Sequence, residues 1–153
     1  MNFTKSFDLK NNKIGFYELV EDVINELKGT KYFNKKVKLK NNVGSDISVK
    51  GDYNLLKSVF LNLGINSLKA MPDGGNLIFG VAKNGNKMEL IVKDEGCGIK
   101  SGDLNKIFLP FYTHFKEGFG FGLSIVKKII ELHNWDITVN STVGEGTEVR
   151  IIL

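Results

Sequence analysis

The stretch "LLKSVFLNLGINSLKAM", residues 55–71, is long enough for a helix that crosses a whole domain. At about 100° per residue, Leu56, Val59, Phe60, Leu63, Leu68, Ala70 and Met71 cover most of its circumference, while Ser58, Asn62, Asn66 and Lys69 fall within an arc of about 80°. A helix that is apolar nearly all round is buried. Its polar stripe therefore faces something polar, or forms a sliver open to solvent. An Asn amide oxygen is a hard, neutral ligand suited to Mg²⁺, and a Lys one turn on could meet a phosphate.

Outward from this helix the chain alternates between periods. Toward the N-terminus, Phe16, Leu19, Val20, Val23, Ile24 and Leu27 recur at helical spacing and stop before Gly29, a C-cap candidate. "KVKLKNNV" and "DISV" alternate like strands. After the turn "PDGG", "NLIFGVAKNGNKMELIVKD" reads as two strands about a turn at residues 84–86, a hairpin pattern. Residues 95–118 show little periodicity, a helix follows over about residues 122–133, and "DITVNS" and "TEVRIIL" close the chain as strands. The order predicts an α/β (α+β) two-layer sandwich, with helices on one face of a mixed, mostly antiparallel sheet. No repeat or Pro/Ser-rich linker divides it, so residues 1–153 are expected to form a single domain.

A chain of 153 residues buries about 70% of its unfolded surface in one core, without need of disulfides. The lone Cys97, the absence of any run of 18 apolar residues and the polar start Met-Asn-Phe-Thr-Lys predict a reducing, cytoplasmic setting with no direct membrane contact. The formal charge of +4 is modest, and Lys35, Lys36, Lys38 and Lys40 alternate with Val37 and Leu39 as a solvated strand face would. No helix-turn-helix, finger or RNA-binding signature accompanies the charge, so no nucleic-acid partner is expected.

Three further stretches carry chemistry. In "VKDEGCGI" a strand ends at Asp94, and Gly96 and Gly98 allow backbone to approach a ligand closely. The pattern suits an ordinary turn, or a carboxylate that accepts a hydrogen bond from an amino group such as that of adenine. Guanine would place a carbonyl oxygen there and leave the acceptor unpaired. In "GFGFGLSIVKKI", Gly118, Gly120 and Gly122 lead into the apolar face Leu123, Ile125, Val126, Ile129, Ile130 and Leu132; backbone N–H groups at that helix start would suit an anion. The stretch lacks the Gly-Lys-Ser/Thr of a P-loop and the clean preceding strand of a dinucleotide fingerprint. Last, "GEGTEVRI" sets Gly144, Gly146 and Thr147 at a strand start, a hairpin turn whose hydroxyl could reach a base or a water beside Asp94.

In this order and spacing, the four stretches resemble the ATP-binding catalytic domain of bacterial sensor histidine kinases, in the superfamily shared with gyrase, Hsp90 and MutL. "NLGINSLKA" resembles the asparagine box, "DEGCGI" the first glycine motif, "IFLPFY" the aromatic box, "GFGFGLSIVKKI" the second glycine motif and "GEGTEVRI" the last. The resemblance implies a Bergerat-type ATP-binding fold that takes ATP and Mg²⁺. It implies Mg²⁺ coordination by Asn66, support of that site by Asn62, phosphate contact by Lys69 and adenine recognition by Asp94. Gly118, Gly120 and Gly122 would hinge a lid over the triphosphate, and Gly96, Gly98, Ile99, Tyr112, Thr113, Leu123 and Thr147 would line the nucleotide. Lys116 stands either as a phosphate ligand or as a solvated lysine of the short lid "FYTHFKEG".

The chain departs from the family pattern at several positions. Phe119 and Phe121 stand between glycines where a small residue and Leu are usual, and Asn134 and Trp135 replace a Gly-Gly pair. His133 is expected to be a helix-end residue favourable to the dipole, without a catalytic role. The hydrolytic ATPases of the superfamily carry a Glu where this chain has Asn62, and an amide is no general base at neutral pH. Neither His114 nor His133 lies in a phosphoacceptor context. The resemblance therefore implies the catalytic piece of a longer kinase, with a histidine-bearing dimerisation domain and a response regulator as partners. A serine kinase of the anti-sigma-factor type, or a non-catalytic nucleotide-binding regulatory module, are the alternatives.

Overall fold

A computed structural model describes residues 9–110 and 122–153. The elements run β1 (Asn12–Gly15), α1 (Phe16–Lys28), β2 (Val37–Asn41), β3 (Ser48–Gly51), α2 (Tyr53–Ala70), β4 (Gly75–Asn84), β5 (Lys87–Asp94), a 3₁₀ turn (Ser101–Asp103), α3 (Gly122–Leu132), β6 (Asp136–Thr142) and β7 (Gly146–Ile152). Strands β2-β4-β5-β7-β6 form one sheet, in which only the β2–β4 pair is parallel. This is the mixed, mostly antiparallel sheet that the sequence predicts. The strand-like "DISV" runs into β3, but its pairing with β1 in a separate two-stranded ribbon was not anticipated: the four residues of β1 show too little alternation, and the pairing closes only across the whole of α1.

The pleat sorts the strands. Leu77 and Phe79 of β4, Leu90, Val92 and Asp94 of β5, and Val149 and Ile151 of β7 are buried on one face. The helices cover that face with Phe16, Leu19, Val20, Val23 and Leu27 from α1, Leu56, Val59, Phe60, Leu63 and Leu68 from α2, and Val126, Ile129 and Ile130 from α3. Phe16 meets Phe60 edge to face, with centroids 5.1 Å apart. On the opposite sheet face, Arg150 reaches Glu89 and Glu148, each at 2.6 Å. Helices α1 and α2 are also tied at their polar margins, where the Tyr53 hydroxyl donates to Asp22 and Lys57 pairs with Glu26. Burial and the Asp22 carboxylate together push the Tyr53 phenol up to about 12.

Helix α2 starts where Asp52 accepts from the Leu55 N–H, an N-cap interaction. The same Asp52 is held by His133, a link the sequence does not show. His133 stands at the end of α3, as the sequence suggests, and it is buried there: its ring Nδ1 lies 2.8 Å from the Ile129 carbonyl, and its Nε2 accepts the Asp52 N–H at 3.1 Å. An Nε2 that accepts fixes the neutral tautomer, with the proton on Nδ1. The residue bolts the end of α3 to the start of α2.

Candidate functional site

The site lies at one end of the sheet, between α2, the start of α3 and the turn after β5. The pleat sends Asp94 to the same side as Leu90 and Val92, so its carboxylate ends up under α2 with 6% of its surface exposed. Ser67, also buried, donates to Asp94 Oδ2 at 2.7 Å; the Gly96 N–H and the Thr147 N–H donate to Oδ1 at 2.9 and 3.3 Å. Burial raises the carboxyl above the ordinary Asp range, and these three donors pull it partly back. The outcome is an acceptor of fixed orientation, held by neutral groups.

The glycine turn around it is laced to three elements. The Cys97 N–H donates to Ala70 O at the end of α2, the Ile99 N–H donates to Ser141 Oγ of β6 at 2.7 Å, and the Gly144 N–H donates to Cys97 O. Two glycines make this lacing possible. Gly98 has φ +76° and Gly146 φ +130°, and a Cβ there would stand 2.3 Å from Thr142 O and 2.0 Å from Asp94 O respectively. Both demand the left-handed backbone and the missing side chain at once. Ser141 Oγ also meets the Thr147 hydroxyl at 2.8 Å and donates to Gly146 O at 3.0 Å. With the Ser141 proton on Gly146 O, the Thr147 hydroxyl donates to Ser141 and turns its lone pairs outward.

On α2, the stripe Ser58, Asn62, Asn66 and Lys69 is half-buried, as a polar line along a buried helix must be. Asn62 Nδ2 donates to its own helix at Ser58 O, 2.9 Å away, which aims its Oδ1 toward α3; a Cβ on Gly122 would come within 3.7 Å of that oxygen. Lys69 holds its ammonium 4.8 Å from the centre of the Tyr32 ring. Leu123 is half-buried at the start of α3, whose first residues adjoin the same stripe. Among the described residues no three His, Cys, Asp or Glu side chains cluster as a metal cage. A lone amide oxygen at Asn66 nevertheless fits Mg²⁺, which commonly takes one or two protein oxygens and fills its octahedron with water and phosphate. Asp94 fits an adenine amino group equally well.

The structure thus brings Asn62, Asn66, Lys69, Asp94, Gly96, Gly98, Ile99, Gly122, Leu123 and Thr147 to one end of the sheet. Tyr112, Thr113, Lys116, Gly118 and Gly120 lie outside the described residues, as do His114, Phe119 and Phe121. Two members of the site were not singled out from sequence. Ser67 sits one position beyond Asn66, and its burial on a helix next to a strand-end acid was the only available signal; Ser141 had none.

A nucleotide-binding sandwich with its ligand groups between an asparagine-bearing helix and a glycine turn is the class that fold and site define. Residues 51–153 match the family described as Histidine kinase-, DNA gyrase B-, and HSP90-like ATPase, and the chain belongs to that family. Within it, the chain is the ATP-binding catalytic domain of the sensor histidine kinase type. Sporulation kinase D of Bacillus subtilis (strain 168) is 34% identical over 139 residues, 88% of this chain and 28% of that protein. Sporulation kinase A of the same organism is 41% identical over 105 residues, 69% of this chain and 17% of that protein. The chain thus spans well under a third of the relatives it matches. Among solved structures, the catalytic domain of histidine kinase ThkA superposes with a TM-score of 0.79 at 25% identity, covering 96% of this chain and 95% of that one. The mycobacterial sensor histidine kinase MprB superposes with a TM-score of 0.81 over 94% and 96% of the two chains; at 23% identity this speaks for the fold. No described helix is long and apolar enough to cross a membrane.

Proposed function

We propose that this chain binds ATP with Mg²⁺ and transfers the γ-phosphoryl group to a histidine on a dimerisation hairpin outside residues 1–153, which form one catalytic domain of a longer two-component kinase. The observation that carries the reading is the buried Asp94 acceptor, fixed by Ser67, Gly96 and Thr147 at the foot of the asparagine stripe. Asp94 accepts a hydrogen bond from the adenine amino group, with Thr147 beside it. Gly96, Gly98, Ile99 and Leu123 line the base and sugar; Asn66 offers Mg²⁺ an oxygen, Asn62 supports it, and Lys69 meets phosphate. Tyr112, Thr113 and Lys116, with the glycines at 118, 120 and 122, would form the lid. Mg²⁺, when bound, neutralises charge on the β- and γ-phosphates.

The chain's own residues position and shield; they do not activate water. Asn62 keeps its amide nitrogen on Ser58 O and has no basic lone pair to take a proton. Hydrolysis is therefore slow, and the bond from γ-phosphorus to the β-bridging oxygen breaks only when an imidazole nitrogen of the acceptor arrives in line. The proton of that imidazole passes to an acidic residue carried by the hairpin, and ADP leaves. Neither histidine here is an acceptor; His133 in particular is locked between Ile129 O and Asp52 N. The exposed Leu109 and Ile125, with Phe108 beneath Lys127, support a docking surface for the hairpin at this end. A response regulator takes the phosphoryl group onward, and the domain works in the cytoplasm, where ATP is.

The test is incubation with γ-labelled ATP, with and without the hairpin of the parent kinase, followed by acid. Label is expected only on the hairpin, and acid should remove it as it does phosphohistidine. Acid-stable label on this chain alone would overturn the division of labour.

A further inference from the structure

Strand β6 contributes a hydroxyl that lies outside all of the sequence motifs. Ser141 stands opposite Thr147, and Thr147 stands opposite Asp94, so the three form a row across β6, β7 and β5. Residues opposite one another in antiparallel strands share a face, and Asp94 marks that face as the one under the helices. We propose that Ser141 is a positioning residue that sets purine specificity: it takes the Thr147 hydroxyl proton, so that the row offers the base acceptors alone. The proposal rests on the reading of Asp94 as the acceptor for the adenine amino group.

Proton counting carries the case. Three polar groups meet Ser141 Oγ: the Ile99 N–H at 2.7 Å, the Gly146 carbonyl at 3.0 Å and the Thr147 hydroxyl at 2.8 Å. A hydroxyl has one proton and two lone pairs. The Ile99 N–H can only donate and the Gly146 carbonyl can only accept, which commits one lone pair and the single proton. All three bonds form only when Thr147 donates into the remaining lone pair. Among the described residues no other group hydrogen-bonds Thr147 Oγ1, so its two lone pairs are left for a ligand or a bridging water. Asp94 next to it is an acceptor too, already oriented by Ser67, Gly96 and the Thr147 N–H. An amino group brings two protons to this edge. A 6-oxo purine brings an oxygen against acceptors, and neither hydroxyl of the row is free to turn and donate to it. Without Ser141, Thr147 regains a proton to offer, and the edge no longer distinguishes the two bases so sharply.

The experiment is calorimetric titration of ATP and of inosine triphosphate, each in excess Mg²⁺, into the wild type, Ser141→Ala, Ser141→Thr, Thr147→Val and the double variant Ser141→Ala/Thr147→Val. Thermal melts check that each variant is folded, and the readout is the ratio of the two affinities. The wild type is expected to prefer ATP, and Ser141→Ala to narrow that preference about three- to tenfold, the range of one neutral hydrogen bond. Ser141→Thr keeps the hydroxyl, suits a strand and should retain the wild-type ratio. Thr147→Val should narrow the ratio as well, and Ser141→Ala should add nothing to that in the double variant. A Ser141 that only ties down the glycine turn through Ile99 would weaken both nucleotides alike, so an unchanged ratio in Ser141→Ala overturns the proposal. A further narrowing by Ser141→Ala once Thr147 is Val overturns it too. Should Ser141→Ala fail to fold, Thr147→Val decides: a narrowed ratio supports the acceptor role that Ser141 sets up, and an unchanged one overturns it. If the wild type binds the two nucleotides equally, the Asp94 reading fails, and the role of Ser141 fails with it.

Discussion

Replacing Asp94 by Asn exchanges one carboxylate oxygen for an NH₂ and leaves the shape of the side chain unchanged. In the protein, Oδ1 accepts from the Gly96 and Thr147 amides and Oδ2 from the Ser67 hydroxyl. An Asn side chain keeps its oxygen on the two amides, and Ser67 can turn its hydroxyl to accept from the new NH₂, so the fold should lose no more than about 1 kcal/mol. The ligand fares worse. An adenine amino group would meet a donor where it met a charged acceptor, a loss of about 1.5–3 kcal/mol, or about ten- to a hundredfold in Kd. pH supplies a second arm. Burial raises the Asp94 carboxyl above 3.8, so its protonation, and the accompanying fall in ATP affinity, should begin at higher pH than for an exposed Asp. The stability term has the opposite sign: a raised carboxyl favours the folded state below 3.8, and that contribution disappears as pH rises through the raised value. Asp94→Asn should therefore flatten the acid limb of ATP binding without destabilising the nucleotide-free protein at neutral pH. Isothermal titration of ATP at several pH values reads the first, and a urea melt at neutral pH reads the second. Equal ATP affinity in wild type and variant, or equal ATP and GTP affinity in the wild type, would refute the reasoning.

Asn66→Ala should weaken ATP only when Mg²⁺ is present, measured as the difference between titrations in magnesium and in EDTA. Leu68→Ala, on the same helix but buried at 2% exposure, should instead cost about 2–5 kcal/mol of stability in a urea melt. Gly146→Ala places a Cβ 2.0 Å from Asp94 O at φ +130°, so it should lower the melting temperature by strain of about 1–3 kcal/mol or more and weaken ATP as well. His133→Ala strips the acceptor from the Asp52 N–H and should cost about 1–3 kcal/mol in denaturant, while hairpin phosphorylation per folded molecule stays as in the wild type.

Features with a local cause were legible in the sequence. The period of α2 exposed its polar stripe, because four side chains within one arc are a property of the helix alone. Asp94 stood out as an acid at a strand end next to glycines. What escaped depends on which elements meet. Ser67 and Ser141 are ordinary hydroxyls until the sheet register and the packing of α2 bring them to Asp94 and Ile99. His133 was placed on the helix dipole because the sequence could not show Asp52, 81 positions away, donating to its ring. The parallel β2–β4 pair was equally silent, since alternation in "KVKLKNNV" says which residues point inward but not which strand lies alongside.

The glycine turn after β5 answers at once to the end of α2, through Ala70 O, to the side chain of Ser141, and to the last hairpin, through Gly144. A segment tied by three hydrogen bonds to two bodies, the end of α2 and the closing hairpin, does not fray alone. Its amides at residues 97, 99 and 144 should exchange with solvent together, in a single opening that separates the closing hairpin from the helix layer. Nucleotide that binds across this joint draws the pieces together, so its affinity appears as slowed exchange at all three positions by the same factor. The closing strands, though remote in sequence from the asparagine helix, are thus part of one clasp with it, and their hold on the turn is read out whenever ATP is bound or lost.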